Sequence, residues 1–190
     1  MRHNIREELI WKALDVFYRN GFHATGMDML VAETGVSKTS MYKHFRTKED
    51  LILAVLRYRD EQFRNWLFRR MEALDASPRG RLLAMFDALG EWFAQPDFRG
   101  CMFIKAVAEY QEANHPIHVL SAEHKRLLFN HIRDLAEAAH AFDPDSLAQQ
   151  LLLLKEGAIV TAHFGNADKA AAFAKTAAAA LIAEAVKPRL

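Results

Sequence analysis

Apolar residues recur every three or four positions along most of the chain. No segment keeps up the two-residue alternation of a strand, so the spacing predicts an all-α protein. The first helix is predicted over Ile5–Asn20, where Leu9, Ile10, Ala13, Leu14 and Phe17 share a face and Gly21 ends it. Phe22 is expected to pack back on the same core. Thr25 is placed to cap a second helix, with Asp28 completing a capping-box pattern and Met29, Leu30 and Ala32 forming its apolar side. Gly35 breaks that helix where a sharp turn needs positive φ. Ser37 then caps a short third helix, Lys38–Phe45, with Met41 and Phe45 four apart on an inward face. Thr47, with Asp50 three residues on, opens a long fourth helix whose Leu51, Ile52, Val55, Leu56, Phe63 and Leu67 keep helical spacing to about Asp75.

Beyond Ser77 the predicted helices have wider apolar faces. Pro78 suits a first helical position ahead of Leu82, Leu83, Phe86, Leu89 and Phe93. Gln95–Gly100 reads as a loop, Cys101 to about Glu112 as a helix, and Asn114-His115-Pro116 as a break. A long helix is predicted over Ile117–Ala141, and Asp143-Pro144 starts another that runs to about Phe164. Gly165 stops it, and Asp168–Val186 forms a last, alanine-rich helix. The final pair is apolar around more of its circumference than a one-sided helix needs, and its small residues permit close approach. Such a pair can bury its excess against a twofold copy as a four-helix bundle, with Leu151, Leu154, Ala158, Ile159, Ala162, Ala178 and Leu181 as candidate interface positions. The expected division is a three-helix unit over residues 1–47 and a larger helical domain over residues 48–190, joined by the helix of residues 48–75. With no Pro/Gly-rich linker, that helix acts as a lever rather than a tether.

Helix, tight turn and short cationic helix together make a helix-turn-helix, and double-stranded DNA is the partner it fits. The net charge of +1 does not argue otherwise, because local charge decides. Val36–Lys48 carries Lys38, Lys43, Arg46 and Lys48 with no acid among them. Lys38 and Lys43 can reach phosphates or guanine edges, Thr39 and Ser40 bases or phosphates, and Tyr42 and His44 phosphates. Lys48 at the next helix start is a candidate phosphate clamp.

The stretch GVSKTSMYKHFRTKEDL resembles the DNA-binding signature of TetR-family transcriptional regulators, a V-S-x-x-x-x-Y-x-x-F-x-x-K-E-x-L pattern. Upstream, ALDVFYRNGFHATGMDMLVAETG resembles the first two helices of the same family, including its F-x-x-x-G-F-x-x-T run, so the likeness covers about the first sixty residues. Met41 stands where leucine or isoleucine is more usual, a swap that preserves apolar volume. The resemblance implies a phosphate contact from Thr25, a dimer through the final helix pair, and a repressor that leaves its near-palindromic operator when a small molecule binds.

A sensing function needs a pocket. Candidate lining residues are Phe86, Trp92, Phe93, Met102, Tyr110 and Phe129 as apolar walls, with Lys105, Glu109, His124 and Lys155 as polar anchors and Glu156 and His163 as further polar pointers. Cys101 is a pocket candidate with two open readings. Arg99 and a helix start nearby favour a reactive thiolate, hence an oxidant or electrophile sensor, whereas a small buried packing residue is the alternative. The lone cysteine excludes an internal disulfide framework. His115 and His118 have workable ligand spacing, yet no Cys/His cluster or HExxH pattern joins them, so no metal and no cofactor is expected. The rival from another class is a helical enzyme or metal-binding protein with an incidental helix-turn-helix. The absence of a phosphate loop or a GxSxG elbow weighs against it, and a non-enzyme is expected. The N-terminal MRHNIREELI lacks a secretory h-region and no run reaches ~18 apolar residues, which points to the cytoplasm and away from membranes.

Overall fold

Local capping decides where most helices of this chain begin and end. The computed structural model describes residues 4–186, and among them all regular structure is helical. Helix α1 (Ile5–Asn20) ends at Gly21, whose N–H donates to Phe17 O at 2.8 Å. Helix α2 (Met27–Thr34) departs from expectation: its N-cap is Gly26, with no side-chain cap. Thr25 is fully buried and turns its hydroxyl back to donate to Gly21 O at 2.6 Å. An acceptor one turn earlier in the chain captures the threonine that the capping-box spacing had assigned to α2.

Gly35 closes α2 in the left-handed region at φ +71°. The Ser37 hydroxyl accepts the Ser40 N–H at 3.2 Å and starts α3 (Lys38–His44). Thr47 and Asp50 form a reciprocal capping box, both bonds at 3.0 Å, at the start of α4 (Lys48–Leu74). Ser77 and Pro78 open α5 (Pro78–Phe93), with Gly80 N–H donating to the serine hydroxyl at 3.0 Å. Helix α6 (Met102–Glu109) is shorter than its apolar pattern suggests. Helix α7 (Pro116–Ala138) starts where the His115 ring accepts the Ile117 N–H at 3.2 Å. Asp143 accepts the Ser146 N–H at 3.0 Å ahead of α8 (Pro144–Thr161). A tight turn over Ala162–Asn166, with Gly165 at φ +103°, leads into α9 (Ala167–Ala185).

Two compact units result. Among the described residues, one holds 4–62 together with Met102–His124; the other holds Phe63–Cys101 and 125–186. In the first, Leu9, Phe17, Phe22, Leu30, Met41, Leu51 and Ile52 are wholly buried, so Met41 fills the inward position its spacing predicts. In the second, α9 packs on α5 and α8 through Ala170, Ala171, Ala174, Ala178 and Ile182. Small residues let the helices approach closely: a Cβ at Gly90 of α5 would already lie 3.4 Å from that of Ala171.

The turn between α2 and α3 sets the angle of α3, and Gly35 sets the turn. Nothing lies within 4 Å of a Cβ built there, so the cost of a side chain is purely that of the backbone. Gly35→Ala is expected to lower stability by about 1–2 kcal/mol in urea unfolding, and Gly35→Asn by less, because asparagine tolerates the left-handed region.

Candidate nucleic-acid interface

Helix α3 turns one face inward, through Met41 and Phe45, and the other to solvent. On the open side stand Lys38, Thr39, Tyr42 and Lys43, with Arg46 just beyond the helix end; Tyr42 is 46% exposed. Ser40 and His44 are half-buried at the margins. Lys38 is tethered: its Nζ donates to Asp28 Oδ1 of α2 at 3.0 Å, and that hydrogen bond and charge raise its pKa, so it stays an ammonium. The acid-free run of the sequence therefore gains one neighbouring carboxylate in three dimensions.

Two expected contacts fall elsewhere. Thr25 is buried against Gly21 O and presents nothing to a phosphate. Lys48 points inward, its Nζ donating to Phe22 O at 3.0 Å and Thr25 O at 3.2 Å, so the clamp role drawn from its charge is given over to the α1–α2 loop. Conversely, Arg6 in the first turn of α1 lies with its guanidinium 5.1 Å from the centre of the Phe45 ring, bringing a cation to the end of α3. Thirty-odd residues of sequence separate Arg6 from the motif, and no local pattern connects them.

The residues proposed as pocket walls and anchors divide between the two units. In the first, Lys105 donates to Tyr18 O at 3.1 Å and Glu109 accepts from Phe22 and His23 N–H groups, so both anchors are engaged with α1 and its following loop. Met102 is buried in this unit as well. Tyr110 is buried against Phe22, His23 and His115, and burial followed by the Glu49 and Glu109 charges pushes its phenol up to about 12. His124 is buried, bonded to Asp60 at 2.7 Å and stacked on Phe103 at 3.7 Å.

In the second unit Trp92 and Phe93 join Phe63 and Phe98 in an aromatic cluster with centroids 4.9–5.8 Å apart. Phe86 is fully buried and Phe129 half-buried. Lys155 has no exposed surface and sits 5.7 Å from the Phe63 ring centre, its Nζ donating to Glu156 Oε1 at 2.8 Å. Lys125 of α7 donates to Glu156 Oε2 at 2.6 Å and approaches the Cys101 sulfur at 3.6 Å. Burial drives the Lys155 pKa down against the pull of Glu156, and it would raise Glu156 too; the two lysines outweigh it and hold that carboxyl at about 2. Lys125 and Phe63, missing from the sequence-based selection, complete this group; their distance from Cys101 and Lys155 along the chain hid them.

Most positions expected at a seam between subunits are enclosed within the single chain. Leu151, Ala158, Ile159, Ala162 and Ala178 are buried within the unit, and Leu154 and Leu181 are half-buried. The opposite faces carry the exposed apolar residues: Leu153 (63% exposed), Val160, Phe164 (80%) and Phe173 (69%), with Gly157 between the first two. Helix α8 is apolar on nearly every side, so periodicity alone could not choose which side turns inward.

His115 and His118 bond to Ile117 N–H and Tyr110 O, and among the described residues no three His, Cys, Asp or Glu side chains converge as metal ligands. No helix among those residues is long and apolar enough to cross a membrane.

Residues 9–55 match the family model of bacterial regulatory proteins, tetR family. The chain is 28% identical over 156 residues to the HTH-type transcriptional regulator YjdC of Escherichia coli (strain K12), 81% of each chain being covered. The fold matches the crystal structure of SCO4454, a TetR-family transcriptional regulator from Streptomyces coelicolor, with a TM-score of 0.89 at 26% identity over 96% of both chains. It also matches a putative tetR transcriptional regulator (sav143) from Streptomyces avermitilis, with a TM-score of 0.84 at 33% identity over 95% of this chain and 97% of that one.

Removing the Glu156 charge takes from the wholly buried Lys155, and from Lys125 beside it, the carboxylate that pairs them. Glu156→Gln is expected to lower stability at neutral pH by about 3 kcal/mol in urea unfolding, and adding Lys155→Met should restore much of it. Because the folded-state pKa of Glu156 lies below its ordinary 4.5, its contribution is complete above about pH 4.5 and is lost as the pH falls toward 2, where wild type and Glu156→Gln should converge.

Proposed function

The chain belongs to the TetR family of helix-turn-helix transcriptional regulators, and from that premise we propose that it is a homodimeric repressor released from a near-palindromic operator by a small molecule. The observation that carries this reading is the outer face of α3, where Thr39, Tyr42 and Lys43, with Arg46 just beyond, are presented together over a buried Met41 and Phe45. Tyr42 and Lys43 are the leading contacts, Thr39 and Ser40 reach bases or phosphates, and Arg46 and Arg6 add phosphate charge at the end of the helix. Lys38 takes part once it leaves Asp28 for a phosphate.

One α3 makes few base contacts, and a dimer doubles them on half-sites about one DNA turn (~34 Å) apart. The exposed faces of α8 and α9 supply the dimer seam: Leu153 and Val160 flank Gly157, which admits a close backbone, and Phe173 stands on the neighbouring helix. A dimer seated in consecutive major grooves blocks transcription by occupancy. A ligand that prefers a wider separation of the two α3 helices shifts the population off the DNA, and α4 is the continuous element able to carry that shift. Such a protein works in the cytoplasm, on the genome.

A second reading is favoured by one contact. The Lys125 ammonium lies 3.6 Å from the Cys101 sulfur, and a cation set beside the thiol suits a regulator triggered by oxidants or electrophiles.

Purified protein should bind a duplex selected from the DNA flanking its own gene, with an affinity that falls steeply as salt rises. Tyr42→Ala/Lys43→Ala should weaken binding about 100-fold and flatten the salt slope, while Leu153→Glu/Phe173→Glu should sediment as a monomer and lose the site. Binding indifferent to both pairs would sink the repressor reading. For the second trigger, N-ethylmaleimide should release wild type and leave Cys101→Ser on the duplex; equal release of both would remove Cys101 from consideration.

A further inference from the structure

Glu109 is the last residue of α6, and its carboxylate is set into the loop between α1 and α2. The Phe22 N–H donates to both of its oxygens, at 2.9 and 3.1 Å, and the His23 N–H donates to Oε2. Gly21 makes the room: it sits at φ +81°, and a Cβ there would lie 2.9 Å from Glu109 Oε1. One turn back on α6, Lys105 holds Tyr18 O; one residue on, Tyr110 packs against the His23 ring at 4.7 Å. The end of α6 is therefore fastened to the last turn of α1 and to the loop that follows it.

The same loop is held from the other side by the helix-turn-helix. Thr25 donates to Gly21 O, and Lys48, the first residue of α4, donates to Phe22 O and Thr25 O. Phe22 C=O and His23 N–H belong to one peptide group, which is planar and rigid. Its N–H rests on Glu109 and its C=O on Lys48. A single stiff plate thus links the end of α6 to the start of α4 through two charge-assisted hydrogen bonds, with no rotatable bond of the backbone between them.

Resting on the regulator reading, we propose that Glu109 is a positioning residue for operator binding. It transmits the position of α6 to the start of α4, and so to the capped turn that carries α3, through the Phe22–His23 peptide and Lys48. A carboxylate suits the place because its two oxygens share the two backbone N–H groups while its negative charge faces that of Lys48 across the peptide. Lys105 makes a separate bond, to Tyr18 O in the last turn of α1, and takes no part in this peptide link.

The test uses the full chain with Glu109→Ala, Glu109→Gln, Lys48→Met and the double variant Glu109→Ala/Lys48→Met. Backbone hydrogen exchange and affinity for the duplex selected on wild type are read at a temperature well below every unfolding midpoint. Glu109→Ala should speed exchange at residues 22–25 and also at 47–52, across the peptide, and weaken operator binding about tenfold with an unchanged salt slope. Glu109→Gln, whose single amide oxygen replaces one of two acceptors, should fall between, and it carries the measurement if the alanine variant does not fold. The losses for Glu109→Ala and Lys48→Met should fail to multiply in the double variant, because both act through one peptide. Losses that multiply, or operator affinity unchanged within twofold while residues 22–25 exchange faster, would overturn the proposal. Should wild type bind no duplex in a salt-dependent way, the regulator reading fails instead. The exchange arm then decides alone, with undisturbed residues 47–52 counting against Glu109.

Discussion

Between Gly21 and Thr25 the chain has to bury Phe22 and Thr25, and each burial takes peptide groups out of water that must find partners elsewhere. The partners come from three directions: the Thr25 hydroxyl for Gly21 O, the Lys48 ammonium for Phe22 O and Thr25 O, and the Glu109 carboxylate for the N–H groups of Phe22 and His23. With those bonds made, Phe22 can sit wholly inside against Phe17 at 5.4 Å, and α1, α2, α4 and α6 meet at one place. The orientation of α3 depends on that junction, since α2 enters the turn from it and α4 leaves the turn beside it. Two side chains of opposite charge, Lys48 and Glu109, hold that junction from opposite sides of one peptide group.

The second unit faces a different problem, a buried charge. Lys155 is closed off from solvent beside an aromatic ring, where an ammonium is costly unless paired. Glu156 supplies the pairing on one oxygen and holds Lys125, a second cation, on the other. Packing of Trp92, Phe93 and Phe98 alongside gives the unit a largely apolar interior in which such pairing matters.

The parts that could be read from the sequence are those held by bonds spanning three or four residues. Ser37, Thr47 with Asp50, and Asp143 cap the helices their spacing marks, and Gly21 and Gly35 end helices where expected; α8 stops at Thr161, short of Gly165, which turns the chain within Ala162–Asn166. Met41 and Phe45 turn inward and Tyr42 and Lys43 outward, because a seven-residue helix with two apolar positions four apart offers one choice of face. Where local patterns compete, the reading failed: Thr25 satisfied the capping-box spacing, yet Gly21 O was a nearer acceptor than the N-terminus of α2.

The chain's own order of residues thus determined an all-helical protein, the positions of its turns, and the outer face of its recognition helix, since all of these rest on periodicity and on hydrogen bonds made within a turn or two. Tertiary structure alone decided the rest. It gave Lys105 and Glu109 to the end of α1 and its loop across 87 residues, drew Lys125, Glu156, Lys155 and Cys101 into one group, and laid Arg6 beside Phe45. It also chose which side of α8 faces inward, leaving Leu153 rather than Leu151 exposed. Such partners are set by how helix faces pack, and a helix apolar on every side, or a charged residue whose partner lies far along the chain, carries no local mark of the neighbour it will meet.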